Sequence, residues 1–207
     1  MHSTISDFTS RVDVSRETLA QLQVYAELLA KWQPAQNLIS NSTVDDMWRR
    51  HFLDSAQMYA PIRARYGDKE LNFMDIGSGA GFPGLVLSIM GLGKAHMVES
   101  NNKKCIFMGH VSRDASADSV ILNKRIEELD DFPLDFITSR ACATISQLLD
   151  WSGKFIKPHT ELWLLKGTIV DDELTEALKS WNMKSERYPS LSDETGCILR
   201  LYDIKKK

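Results

Sequence analysis

Asp75-Ile76-Gly77-Ser78-Gly79-Ala80-Gly81-Phe82-Pro83-Gly84 is the stretch on which the reading of this chain turns. The residues before it, 71–76, form a short apolar run of strand length, and those from 83 to 90 form an apolar run that suits a helix. Glycines at alternate positions remove Cβ atoms, so the backbone turns tightly and can approach a ligand closely. Proline is tolerated in a first helical turn. Strand, glycine loop and helix in that order predict a ligand site at a sheet edge, in preference to a bare turn.

Outward from the loop the pattern repeats. Apolar runs at 96–98, 120–122, 135–138 and 161–165 read as strands, with helices between them at 103–115, 145–155 and 171–181. Nearly unbroken apolar strands alternating with helices mean a parallel sheet covered on both faces. The last two runs, 184–188 and 197–204, are separated only by a loop rich in turn residues, so they predict an antiparallel hairpin at the sheet edge. Upstream, Leu22, Tyr25, Ala26, Leu29 and Trp32 recur at helical spacing behind a capping Ser15, and Pro34 is expected to end that helix. A second helix should begin near Thr43, with a buried stripe of Val44, Met47, Trp48, His51, Phe52, Ser55, Ala56 and Tyr59. The expected fold is α/β: a Rossmann-like doubly wound sheet, mostly parallel, with a C-terminal antiparallel hairpin. Residues 1–68 form a small helical segment packed on a core domain of residues 69–207.

Composition limits the function classes. The chain has 207 residues, 43% hydrophobic and 26% charged, which suits one soluble domain with a small appendage. Twenty-five Lys and Arg against 28 Asp and Glu give a net charge of −3, so a polyanionic partner must be held by a local patch. Cys105, Cys142 and Cys197 form no CxxC pair and have no histidine at zinc-ligand spacing. A reduced, cytoplasmic location and no metal are expected. Residues 1–13 are polar with no leader-like apolar run, and the longest apolar stretch, 84–93, is about half of what a bilayer span needs. No membrane association is expected.

The ligand follows from the residues around the loop. Gly79-x-Gly81-x-x-Gly84 formally matches a dinucleotide fingerprint, whereas Gly77-x-Gly79-x-Gly81 is the shorter form of S-adenosylmethionine enzymes. Asp75, two residues before the first glycine, suits a ligand with an ammonium and a sulfonium better than a pyrophosphate. Glu99, at the end of the second strand, is placed to accept hydrogen bonds from a ribose diol. The terminal hairpin, and a chain too short for a separate substrate domain, also favour a methyltransferase over a dehydrogenase. The fold expected is therefore that of a class I S-adenosylmethionine-dependent methyltransferase.

The chain resembles the RsmG (GidB) family of bacterial 16S rRNA methyltransferases. The resemblance is carried by Lys31-Trp32, Asn37-Leu38, Arg50-His51-Phe52-Leu53-Asp54-Ser55, the Gly77–Gly84 loop, Lys103-Lys104, Ser139-Arg140-Ala141 and Leu165-Lys166-Gly167. It implies methyl transfer from S-adenosylmethionine to N7 of a guanine in 16S rRNA. It also implies that Gly77 and Phe82 contact the cofactor, that Ile126 and Glu127 flank the adenine, and that Arg140 completes the site. With Gly79, Gly81 and Glu99, these make up the expected cofactor set.

N7 of guanine carries a free lone pair, so no general base is needed and the enzyme must chiefly position its reactants. There is no Pro-Cys dipeptide for a thiolate nucleophile and no Asn/Asp-Pro-Pro-aromatic motif for holding an exocyclic amine. No residue is assigned as catalytic with certainty; His51, Asp54, Arg140 and Lys166 are positioning candidates, with Asp54 a partner for His51 one helical turn away. Arg49, Arg50, Lys124 and Arg125 are the basic positions expected to meet RNA. The expected partner is 16S rRNA or a small-subunit particle, met by a monomer. The alternatives are a small-molecule methyltransferase, which the acidic charge balance favours, and a cofactor-binding regulatory module without turnover.

Overall fold

The computed structural model describes residues 4–207; Met1, His2 and Ser3, the start of the polar N-terminal stretch, lie outside the described residues. The N-terminal part comprises α1 (Ile5–Thr9), α2 (Arg16–Gln36), a 3-10 turn (Asn41–Asp46), a π-helical turn (Trp48–Leu53), α3 (Asp54–Ala56) and α4 (Tyr59–Tyr66). There follow β1 (Leu71–Ile76), α5 (Gly84–Ile89), β2 (Gly93–Val98), α6 (Asn102–Asp114), β3 (Ser119–Leu122) and a 3-10 turn (Ile126–Glu128). The chain continues through β4 (Phe136–Arg140), α7 (Ile145–Ser152), β5 (Glu161–Lys166), α8 (Val170–Ser180), β6 (Trp181–Pro189) and β7 (Cys197–Lys206).

One seven-stranded sheet results, in the order β3-β2-β1-β4-β5-β7-β6. The first five strands pair in parallel, while β7 pairs antiparallel with both β5 and β6. Alternation along β1 supplies both faces: Phe73 joins the apolar cluster of α2, α5 and α6 with Tyr25, Phe52 and Phe107, and Met74 joins that of α7 and α8 with Ile145 and Leu149. The order reverses between β1 and β4, from which the chain runs outward in opposite directions, leaving a crevice between their ends. That crevice, beyond the strands' carboxyl ends, is where open α/β sheets bind ligands.

Three expectations need correction. Helix α2 runs through Pro34 and stops at Asn37, whose φ of 51° is left-handed and whose N–H bonds the Gln33 carbonyl at 3.0 Å. Proline this close to the end removes one hydrogen bond from a helix that buried Leu22, Tyr25 and Leu29 already anchor. The next helix opens as a 3-10 turn at Asn41 and widens into the π turn, which buries His51, Phe52 and Leu53 in succession. A regular α-helix would turn one of three consecutive side chains outward. Trp181 starts β6 and does not end a helix, and its side chain is buried against the second cluster.

Candidate functional site

The glycine loop owes its shape to groups beneath it. Gly77 (φ 67°), Gly79 (φ 59°) and Gly81 (φ 102°) all occupy the left-handed half of backbone space. A Cβ on Gly77 would lie 2.1 Å from Cys142 Sγ, so only glycine fits between the β1 end and the loop after β4. The Asp75 carboxylate is fully buried below the loop, where its Oδ2 accepts the Gly84 N–H at 3.1 Å. It is therefore a brace for the start of α5, not a group presented to an ammonium. Burial pushes its carboxyl up to about 7, against the opposing pull of the Gly84 N–H and of Arg140. Glu99 braces the other side, its Oε2 accepting the Gly79 N–H at 3.0 Å and its Oε1 the Asn101 N–H at 2.8 Å.

Above the loop lies a cavity of about 810 Å³, within the range of pockets that hold small molecules. Its floor is the Gly77–Phe82 loop together with Arg140, the 141–144 loop, Lys166 and Gly167. Its other wall comes from Thr43, His51 and Asp54 of the N-terminal part and from the loop between β6 and β7. The Arg140 guanidinium sits 5.2 Å from the Phe82 ring centroid, and its Nη1 donates to the Arg50 carbonyl at 2.9 Å and approaches Asp54 Oδ2 at 3.5 Å. Lys166 Nζ lies 2.7 Å from Glu173 Oε2 and donates to the Ala143 carbonyl at 2.8 Å. Its charge is thus already matched inside the wall.

The β6–β7 loop is pinned to the N-terminal part. Arg49 donates to the Ser192 carbonyl at 2.8 Å, Arg50 pairs with Asp193 at 3.0 Å, and the Ser192 hydroxyl donates to Asp54 Oδ1 at 2.6 Å. Two of the arginines expected to meet RNA therefore also hold this loop, whereas Lys124 and Arg125 stand exposed after β3.

Gly77, Gly79, Phe82, Arg140, Lys166, His51 and Asp54 thus converge on one cavity. Gly81 packs behind the loop against Tyr25 and Leu85, and Glu99, Ile126 and Glu127 lie outside the lining. The expected His51–Asp54 pair does not form: His51 Nε2 bonds the Thr43 hydroxyl at 2.8 Å, and Asp54 turns to Ser192, Gln57 and Arg140. The π turn shifts the register that the i, i+3 argument assumed. The sequence reading also missed Ser190, Ser192 and Asp193, whose serines and acid in a turn-rich loop gave only a turn signal. Among the described residues no group of three or more His, Cys, Asp or Glu side chains is placed to hold a metal, and no helix is long and apolar enough to cross a membrane.

His51 and Asp75 predict a specific pH response. Burial, then Arg140 and Arg50, lower the His51 imidazole to about 3. The folded state thus binds fewer protons there than the unfolded one, and this contribution to stability is complete above about 6.5 and lost as pH falls toward 3. Asp75 has the opposite sign: its raised carboxyl binds more protons when folded, so its contribution falls as pH rises from about 4 to 7. Thermal melts of His51→Gln between pH 4 and 7 should fall more steeply with rising pH than those of the wild type, and melts of Asp75→Asn should rise. Parallel profiles for all three proteins would refute these assignments.

The sheet order, the antiparallel β7 inserted beside β5, and the glycine loop at the reversal point define a class I methyltransferase fold. Solved structures agree on the fold: a magnesium protoporphyrin IX methyltransferase from Synechocystis superposes with a TM-score of 0.60 at 10% identity, covering 91% of this chain and 97% of that one. A ribosomal protein L11 methylase from Lactobacillus delbrueckii does so with a TM-score of 0.56 at 14% identity, over 74% and 78%. Residues 18–196 match the family model of rRNA small subunit methyltransferase G. Proteins named ribosomal RNA small subunit methyltransferase G are 44% identical in Rhodospirillum rubrum, over 96% of this chain and 97% of the relative, and 42% identical in Paramagnetospirillum magneticum, over 97% and 96%. The chain belongs to the rRNA small subunit methyltransferase G family.

Proposed function

We propose that the protein transfers a methyl group from S-adenosylmethionine to N7 of a guanine in 16S rRNA, as naked RNA or in a small-subunit particle. It does so as a cytoplasmic monomer. Family membership across residues 18–196 carries this reading, and the cavity over the glycine loop supplies a place for cofactor and base. The cradle suits such a cofactor: backbone without Cβ atoms at Gly77 and Gly79, an aromatic face at Phe82, and a carboxylate at Glu99 held against the loop. Bound there, S-adenosylmethionine supplies an electrophilic methyl on a sulfonium.

The chain's own residues orient and enclose. Gly77, Gly79 and Phe82 form the bed, with Gly81 giving the loop its turn. Glu99 takes the ribose diol, while Ile126 and Glu127, on the turn after β3, flank the adenine. Arg140 clamps Phe82 and ties the loop to the N-terminal wall, where His51 stays neutral at working pH and Asp54 and Lys166 position the target. N7 loses no proton, so the acceleration comes from holding reactants in line, worth up to about 7–11 kcal/mol.

Incubation with methyl-labelled cofactor and small-subunit RNA lacking the modification should place label in 7-methylguanosine. Label in another nucleoside would overturn the regiochemistry, and label only in added metabolites would establish the small-molecule alternative.

A further inference from the structure

N7 is a bare acceptor in both guanine and adenine, so the reacting atom cannot select the base. Guanine differs from adenine at O6, where adenine has an amino donor, at its 2-amino group, and at N1–H, where adenine has a second bare acceptor. Of these, the N1–H and 2-amino donors are the ones a carboxylate can read. A carboxylate facing that edge would accept from guanine and repel adenine. Forming the N7–methyl bond also leaves one positive charge on the base with no proton lost, and a carboxylate at N1–H is placed to stabilise it.

Among the described residues, three carboxylates line the cavity: Asp54, Glu173 and Asp193. Glu173 takes both of its contacts on one oxygen, Oε2, from Lys166 Nζ at 2.7 Å and the Ile145 N–H at 3.0 Å; Oε1 is left open, but the ion pair with Lys166 already neutralises the group inside the wall. Both oxygens of Asp193 are occupied, Oδ2 by Arg50 at 3.0 Å and Oδ1 by the Thr195 N–H at 3.0 Å and its hydroxyl at 2.7 Å. Asp54 differs. Its Oδ1 accepts from two neutral donors, the Ser192 hydroxyl at 2.6 Å and Gln57 Nε2 at 3.0 Å, which fix the carboxylate's orientation. Its Oδ2 has a single contact, Arg140 Nη1 at 3.5 Å, longer than an ordinary charge-assisted hydrogen bond. The side chain is 20% exposed in the cavity wall. A carboxylate oxygen with two lone-pair directions and one long contact has capacity for another donor.

We infer that Asp54 is the base-selecting residue, its Oδ2 accepting the N1–H of the target guanine; this rests on the guanine methylation proposed above. The test uses 16S rRNA assembled by ligation with either guanine or 2,6-diaminopurine at the position the wild-type enzyme methylates. Diaminopurine keeps N7 and the 2-amino group, has no hydrogen on N1 and carries an amino group in place of O6. The change in preference in the Asp54 variant, and not the wild-type preference alone, therefore reports the N1 contact. Wild-type enzyme should prefer guanine by at least about 100-fold in kcat/KM, as sites built around a hydrogen bond do. In Asp54→Asn the amide can offer N–H to the bare N1, so the preference should fall below about 10-fold. The ratio of equilibrium RNA affinities, measured without cofactor, should shift in the same direction. Ser192→Ala, which loosens the same carboxylate without changing its chemistry, should lower rates on both RNAs and leave the ratio unchanged. The inference is overturned if Asp54→Asn lowers both rates in proportion, as a merely structural residue would, or if wild-type enzyme does not discriminate. Absence of 7-methylguanosine from wild-type enzyme on guanine RNA would instead sink the parent reading.

Discussion

Gly77→Ala should weaken cofactor binding by about 100-fold or more and reduce methylation accordingly, while the protein still melts cooperatively. Gly77 has a φ of 67°, where a residue with a Cβ is strained by about 1–2 kcal/mol. The new methyl group would also lie 2.1 Å from Cys142 Sγ and 2.8 Å from its Cβ. Overpacking costs up to about 3 kcal/mol; Cys142 is exposed, so its Sγ can rotate away, and it is the contact with its Cβ at 2.8 Å that requires the backbone around the cavity floor to shift. Together these account for roughly two factors of ten in affinity. Because the collision is with one side chain, Gly77→Ala/Cys142→Gly should recover most of the loss, leaving only the backbone strain. Equilibrium titration of cofactor into the three proteins checks this; a double variant as weak as the single one would place the damage elsewhere.

The largest effect on stability is expected far from the cavity, at Arg200→Ala. Glu161 opens β5 with only 3% of its side chain exposed, and it accepts from Arg200 Nη2 at 2.7 Å, Arg200 Nε at 2.9 Å and Arg65 Nε at 2.9 Å. Burial opposes the charge, but the hydrogen bonds from Arg200 and Arg65 outweigh it and hold the carboxyl below the usual range. Removing Arg200 leaves a buried carboxylate with one half-exposed charged partner, Arg65, and the neutral indole N–H of Trp163 at 3.2 Å, a change that costs about 3–5 kcal/mol. For a domain of this size the melting temperature should drop by about 10 °C. The sign with pH is also fixed. In the wild type this pair's contribution is present above the unfolded carboxyl pKa and lost in acid, whereas in the variant protonation relieves the unpaired group. The deficit should therefore shrink toward pH 4; a constant deficit would mean that Arg200 acts mainly through its packing on Trp163 and Tyr202.

The sheet was readable because its signals are local. Apolar runs on either side of a glycine loop state a parallel α/β order without long-range information, and β1 was delimited to the residue at 71–76. What failed was set by tertiary contacts. Pro34 reads as a stop, yet burial of Tyr25 and Leu29 carries the helix past it to Asn37. His51 and Asp54 read as partners at α-helical spacing, and the π turn sends them to Thr43 and Ser192. The glycine loop's face toward the cavity was legible. That Asp75 lies beneath it was not, because period-two alternation does not tell a strand's last buried carboxylate from one presented to a ligand. The cavity's far wall was invisible for a simpler reason: Asp54 and Ser192 are 138 residues apart.

The order β5-β7-β6 has a consequence for the timing of assembly. Strand β6 leaves the ribosome before β7 but has no hydrogen-bonding neighbour in the sheet except β7. Until β7 slots between its two neighbours, β6 has no strand partner and is held by side-chain packing such as that of Trp181, and the loop that joins them has not been delivered to the cavity. A nascent chain can thus complete the five parallel strands and the glycine corner while the pocket still lacks a side. The cavity wall is complete only with β7 in place, because Ser192 and Asp193 then meet residues made well over a hundred positions earlier.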